Sequence, residues 1–284
     1  MEEEKPFNGK ARAAHHTHGV APHQGRVGGR KSFGPRRGRG MRHGGPRPHQ
    51  VHPPREIPQH GIKMHGNGTA EEKPIPPLEA GNIRIIPLGG VEEIGKNMTA
   101  VEFGNDIVII DCGFQFREDD TPGIDYIIPN TTYLEERRDK IRAMFITHGH
   151  LDHIGGIPYI IDRIGYPPIY TRSLTAVMIK KRQEEFPNLK PVDIHEVEKD
   201  DTIRAGNLRV RFFSVYHTIP DSMGIIIETP YGMLVFTGDL RLDHVDGIPT
   251  ETEEKEFGFF KDKKILFLAA DSTNVERPGF SLPE

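Results

Sequence analysis

Cysteine occurs once in the 284 residues, at Cys112, so the chain can form neither an internal disulfide nor a zinc site built from several thiolates. A reducing compartment is compatible with that. No apolar run approaches the roughly 18 residues that a membrane-crossing helix needs, and the opening "MEEEKPFNGK" has no apolar signal core. These absences predict a cytoplasmic protein that makes no membrane contact. Repeats at solenoid periods are also missing, which excludes a stacked array.

Core-forming side chains are scarce in one part of the chain. Residues 1–80 carry 14 Lys+Arg against 7 Asp+Glu and hold 9 of the 15 histidines, with stretches such as "GRVGGRKSFGPRRGRGMRHGGPRP". The tail is thus basic by seven charges, the remainder is acidic by eleven, and the whole carries the net −4. This composition predicts a disordered Gly/Pro/His/Arg-rich tail over 1–80 and a folded domain over 81–284. The tail reads either as a solvated linker or as an auxiliary electrostatic contact with nucleic acid, and its Arg-Gly spacing favours RNA.

From residue 81 onward the pattern changes to short β-branched runs separated by turn residues. "IRIIPL" (83–88), "TAVEF" (99–103) and "IVIID" (107–111) read as strands, the last two joined as a hairpin through "GND". "TTYLEERRDKI" offers a threonine cap and a helical charge pattern before the strand "RAMFIT". "IGGIPYIIDRIG" reads as a helix, as does "SLTAVMIKKRQEEF" with Ser173 as its N-cap. Strands return in "LRVRFFSVY", "GIIIET", "MLVFTGD" and "KILFLAAD", the middle pair linked by the turn "PYG". Strands early and late with helices between them predict a layered, sheet-rich α/β domain.

One stretch concentrates chemistry. "FITHGHLDHIGG" (145–156) places His148, His150, Asp152 and His153 between an apolar run and a glycine pair. Positions two apart do not share a helix face, so His148 and His150 must lie on a loop to converge on one ion. Imidazoles and carboxylates are the N/O ligands that zinc accepts, and that manganese or iron accept less readily. Burying four such groups without an ion would leave several polar groups to satisfy. His217 after "FFSVY" and Asp239 in "VFTGDL" are the candidate distant ligands. Asp111, at the end of "IVIIDCG", reads as a ligand or, preferably, as a group that orients one. Cys112 reads as a small buried residue beside the site, while His195 and His244 receive no role.

A strand-end Asp, then H-x-H-x-D-H, a later His and a later Asp, resemble the metallo-β-lactamase superfamily. "PLGGVEEIGKNM", "DCGFQF", "PGIDYIIPN", "THGHLDHIGG", "YHTIPDSMG", "FTGDLRLD" and "DSTNVERPGFS" narrow the resemblance to the ribonuclease J family of β-CASP metallo-ribonucleases. It covers the body and none of the tail. The resemblance implies an αββα sandwich and a metal-dependent hydrolase that cuts RNA phosphodiesters, exonucleolytically, endonucleolytically or both. It implies two divalent ions, zinc with manganese as the alternative. His148, His150 and His217 would hold one, Asp152 and His153 the other, with Asp239 between them and Asp111 supporting the loop.

In that reading a hydroxide activated by both ions attacks phosphorus, and Asp152 and Asp239 are the catalytic carboxylates. "PDS", with Asp221 and Ser222, and "DSTN", with Ser272, look like loops on the substrate side. Single-stranded RNA is the implied partner, and the complete protein is expected to be a homo-oligomer. The family continues past "DSTNVERPGF" into a β-CASP domain and returns with another histidine ligand, so the chain is expected to be an amino-terminal fragment with weak or absent activity of its own. Two other readings are a small-molecule hydrolase acting on a lactone, thioester or lactam, and a non-catalytic RNA-binding subunit. The intact ligand positions count against the second.

Overall fold

The short β-branched runs fold into two sheets stacked face to face. The computed structural model describes residues 75–116, 123–244, 248–276 and 278–279. Apart from 75–80, the expected tail lies outside the described residues. The first sheet is built from β1 (Ile83–Gly89), β2 (Met98–Phe103), β3 (Asp106–Ile110), β6 (Ile141–Phe145), β7 (Ile169–Thr171) and β8 (Ile194–Glu196), in the order β1-β2-β3-β6-β7-β8. Its first three strands are antiparallel neighbours, and from β3 onward the pairing is parallel. The second sheet contains β9 (Thr202–Ala205), β10 (Leu208–Ser214), β11 (Met223–Thr229), β12 (Gly232–Phe236) and β13 (Ile265–Ala269), in the order β13-β12-β11-β10-β9. There only β12 and β13 run parallel. A two-stranded ribbon, β4 (Gln115–Phe116) with β5 (Tyr126–Ile127), stands apart.

Strand β3 shows how the layers form, since all five of its residues are buried. Successive side chains point to opposite faces of a strand. Ile107 and Ile109 accordingly pack under the helices α1 (Thr132–Glu135), α2 (Leu151–Ile154), α3 (Ile157–Ile160) and α4 (Ser173–Gln183), with Leu134, Ile154, Ile160 and Ile179. Val108 and Ile110 face the second sheet and meet Phe145, Val210, Phe212, Ile225, Leu234 and Phe236. Burial on both faces explains why β3 reads as a continuous apolar run. The outer face of the second sheet, Phe213, Val215, Ile226 and Val235, is covered by Phe257, Phe259 and Phe260 from α5 (Glu251–Phe257) and the turn after it. Helix, sheet, sheet and helix thus stack in the expected αββα order. No helix among the described residues is long and apolar enough to cross a membrane.

Several local expectations are corrected. The helix at "TTYLEERRDKI" lasts only from Thr132 to Glu135, and Thr131 does not cap it; its hydroxyl bonds Glu135 instead, at 2.7 Å. The helix at "IGGIPYIIDRIG" is two short ones, broken at Gly155 and Gly156, and the first already begins at Leu151. Ser173 is the first residue of α4 rather than its cap. Strands β7 and β9 and the helix α5, which opens on a Thr250/Glu253 capping box, were not anticipated.

Candidate metal centre

Strands β3, β6, β10 and β12 all end at one edge of the sandwich, where the chemistry-bearing side chains collect. Asp111 follows β3, and Thr147, His148 and His150 follow β6. Asp152 and His153 sit in the first turn of α2, inside a helix and not on the loop. His217 and Asp239 lie three residues beyond the ends of β10 and β12. The two sheets are tied at this edge by the Met223 amide, which donates to the Thr147 carbonyl at 3.0 Å.

Glycines let these segments approach. A side chain at Gly113 would strike the backbone of Asp152, and one at Gly156 would strike that of Gly113. Their closeness allows Cys112 N to donate to His153 O at 2.8 Å and Gly156 N to Cys112 O at 2.9 Å. Cys112 is fully buried in this contact, and burial pushes its thiol pKa upward, which makes it an inert packing residue. Gly238, with φ of 60°, lies where a side chain would strike that of Thr147, and it precedes Asp239 in the cluster.

Seven donor atoms converge in two groups. His148 Nε2 and His217 Nε2 each lie 3.1 Å from His150 Nδ1, and Asp239 Oδ2 completes this group at 3.8 Å from His148 and 3.4 Å from His217. A tetrahedral zinc with bonds of about 2.05 Å to nitrogen has ligand atoms roughly 3.3 Å apart, close to these spacings. The second group is His153 Nε2 with Asp239 Oδ1 at 3.2 Å and Asp152 Oδ2 at 3.5 Å. Asp239 therefore turns one oxygen to each group. Within each group every donor lies within 4.8 Å of the others.

Asp111 orients the rings. Its carboxylate accepts from Thr147 N at 2.8 Å and from Thr147 Oγ1 at 2.9 Å, and lies 2.8 Å from His153 Nδ1. His153 thus donates from Nδ1 and turns Nε2 to the second group, where a bound cation would displace the proton on that nitrogen. The Thr147 hydroxyl spends its one proton on Asp111 and can only accept from His148 Nδ1, 3.1 Å away. His148 therefore faces its group through an unprotonated Nε2. Such outer hydrogen bonds are how metal-binding imidazoles are held in register.

The electrostatics agree with a cation site. Burial, joined by the charge of His153, pushes His148 down to about 2, so its ring is neutral as a ligand must be. Burial likewise lowers His217. Burial would lower His153 too, but the carboxylates of Asp111, Asp152 and Asp239 hold it well above the ordinary range. Burial opposes ionisation of Asp239, yet His153, His148 and His217 bring it to about 2; Asp152 is lowered through His153 against the same opposition. Three carboxylates around one buried imidazole leave negative charge that a positive ion would balance. Three ring nitrogens face one another within 4.8 Å, and a cation would satisfy all of them. The donor set fits a divalent metal.

Comparison with known proteins agrees with this geometry. Residues 92–262 match the family described as "Metallo-beta-lactamase superfamily". The chain belongs to that superfamily. It is 36% identical over 203 residues to ribonuclease J2 of Bacillus subtilis strain 168, and 40% identical over 215 residues to ribonuclease J of Thermus thermophilus. Each match covers 72% of this chain and 36% of the relative, so the chain spans little more than a third of those proteins. A crystal structure of a protein of unknown function from Enterococcus faecalis V583 shares the fold, with a TM-score of 0.51, 20% identity, and coverage of 70% of this chain and 52% of that one.

The other sequence-derived residues of this metallo-beta-lactamase domain are placed differently. Asp221 is committed to the start of α4, accepting from Ser173 Oγ at 3.1 Å and Leu174 N at 3.2 Å. Ser222 is buried and donates to Ile219 O at 3.0 Å. Ser272 is exposed, beside Asp271, whose carboxylate accepts from Leu240 N at 3.3 Å. His217, Asp221 and Ser222 also line a cleft of about 270 Å³, with Arg172 and Tyr216. His195 stacks on Tyr170 in the outer strand β8, and His244 approaches Glu253 at 3.8 Å; neither belongs to either donor group. Sequence reasoning missed Thr147 and Asn97. Both lie inside stretches that carry the family resemblance, Thr147 opening "THGHLDHIGG" and Asn97 near the end of "PLGGVEEIGKNM", but neither is a residue type that marks a metal ligand.

Proposed function

We propose that this chain carries the metal-binding domain of a metal-dependent ribonuclease that hydrolyses phosphodiester bonds of single-stranded RNA. The observation that carries the reading is the convergence of two donor groups sharing Asp239, in a chain 36–40% identical to proteins named ribonuclease J. His148, His150 and His217 would hold one ion and Asp152 and His153 the other, with zinc favoured by the three imidazoles and manganese as the alternative. Bound ions would supply Lewis acidity and bring the pKa of a water from about 16 towards about 7.

The residues of the chain do the rest. Asp152, kept ionised by His153, orients the attacking water and takes up its proton. Asp111 and Thr147 hold the His153 and His148 rings in the orientations that turn Nε2 towards the ions. The cleft beside His217 gives a substrate strand a route to the centre. The tail's excess of positive charge supports an auxiliary contact with RNA phosphates. An RNA substrate agrees with a cytoplasmic enzyme.

The test is incubation of the metal-loaded chain with 5′-labelled single-stranded RNA and with a panel of lactones, thioesters and lactams, with and without chelator. Slow, chelator-sensitive cleavage of RNA that Asp152→Asn abolishes, and no turnover of the panel, is the expected result. Turnover of the panel without RNA cleavage would overturn the reading in favour of a small-molecule hydrolase.

A further inference from the structure

The loop between β1 and β2 folds back on itself and delivers Asn97 to the second donor group. Gly89 and Gly90 make the fold-back sterically possible: a side chain at Gly89 would strike the Lys96 carbonyl, and one at Gly90 would strike Asn97 Oδ1. Gly90 also has φ of 80°, and Gly95 and Lys96 have φ of 97° and 42°. The backbone of Asn97 is pinned on both sides, donating to Asp152 O at 3.0 Å and accepting from Gly113 N at 2.9 Å. Its amide oxygen is turned towards Gly90, so its amide nitrogen is turned inward.

That nitrogen has three neighbours and two protons. It lies 3.2 Å from Asp152 O, 3.2 Å from Asp152 Oδ2 and 3.1 Å from His153 Nε2. Both oxygens can only accept, and two N–H groups satisfy them. His153 Nε2 then receives no proton from Asn97 and stays turned to Asp152 Oδ2 and Asp239 Oδ1, while Nδ1 faces Asp111.

We propose that Asn97 is the positioning residue of the second donor group. Its amide clamps the Asp152 carboxylate beside His153 Nε2, so that Asp152, His153 and Asp239 are preset for a divalent cation. This rests on the metal-centre reading and goes beyond it, since Asn97 donates no atom to either group. The group it serves has three donors where the other has four, so its affinity depends more on pre-organisation.

The experiment is titration of the full chain with Co²⁺, followed by visible absorption and calorimetry, for wild type, Asn97→Ala and His148→Ala. All three carry the same tail, so its histidines contribute equally and cancel in the differences. The expected result is that Asn97→Ala weakens one binding step by about 10–100-fold and leaves unchanged the imidazole-rich step that His148→Ala removes. Asn97→Ser, which keeps one short donor, should recover part of the loss, a graded rescue that a merely space-filling role would not give. Should Asn97→Ala fail to fold, Asn97→Ser against wild type makes the same comparison. Two steps unchanged in the folded variant, or both steps falling together, overturn the assignment to Asn97 alone. If wild type binds a single cation, the second group is not a site and Asn97 has no such role. If His148→Ala changes no step, the metal-centre reading itself fails.

Discussion

Asp111 occupies the left-handed region with φ of 59°, a conformation uncommon for non-glycine residues though less so for aspartate, and its surroundings favour it there. Thr147 and His153 do so, and the same hydrogen bonds fix two imidazoles. Asp111→Asn keeps the size but loses an acceptor for His153, and should lower metal affinity by about 10–100-fold while the protein stays folded, as read by competition with a chromogenic chelator. Asp106 illustrates a carboxylate with a structural role. Burial would raise its pKa, but Arg142 and two donors of Asn207, each at 2.8 Å, hold it below the ordinary 3.8. A depressed folded-state pKa contributes stability that is present above the unfolded value and is lost as pH falls through the folded one. Asp106→Asn should therefore be less stable than wild type at pH 7, with the difference shrinking below about pH 4, as measured by urea unfolding at both. At this scale the donor residues were legible because H-x-H-x-D-H is dense enough to stand out. Thr147 and Asn97 were not, because a single hydroxyl or amide acquires its role only from what folding brings to it.

The starts of the helices depend on distant partners. Helix α4 begins without a cap from its own neighbours; Asp221, arriving from the loop after β10, accepts from Leu174 N and Ser173 Oγ in place of one. Asp221→Ala should cost about 0.5–2 kcal/mol in thermal unfolding, the range for losing a helix cap, whereas Ser173→Ala should cost less because the Leu174 bond survives. Equal, negligible costs would free Asp221 for a role towards substrate. Strand positions were largely legible because period-two runs of Ile, Val and Phe reflect burial on sheet faces, a local consequence of a simple geometry. Helix limits were less so: Thr131 and Ser173 look like caps yet spend their hydroxyls elsewhere, on Glu135 and Asp221. Strands β7 and β9, at three and four residues, are too short to show a period.

Two sheets packed through one apolar layer carry the donor-bearing loops at a common edge, so core and centre are mechanically joined. Phe145 is fully buried in that layer, against Tyr170 and Phe212, two residues before Thr147. Phe145→Ala should cost about 3–5 kcal/mol in chemical denaturation and weaken metal retention as well. A layered, sheet-rich domain could be anticipated from the alternation of strands and helices and the αββα order only from the family resemblance, while the strand order could not, because pairing partners are set by tertiary contacts that no local pattern encodes. The convergent imidazoles and carboxylates should hold metal. Zinc content per folded chain, determined by elemental analysis after dialysis against trace zinc, decides this when wild type is compared with His148→Ala/His150→Ala, which retains the tail and its histidines. Wild type should exceed the double variant by at least one zinc per chain; equal content in two folded proteins would contradict the account.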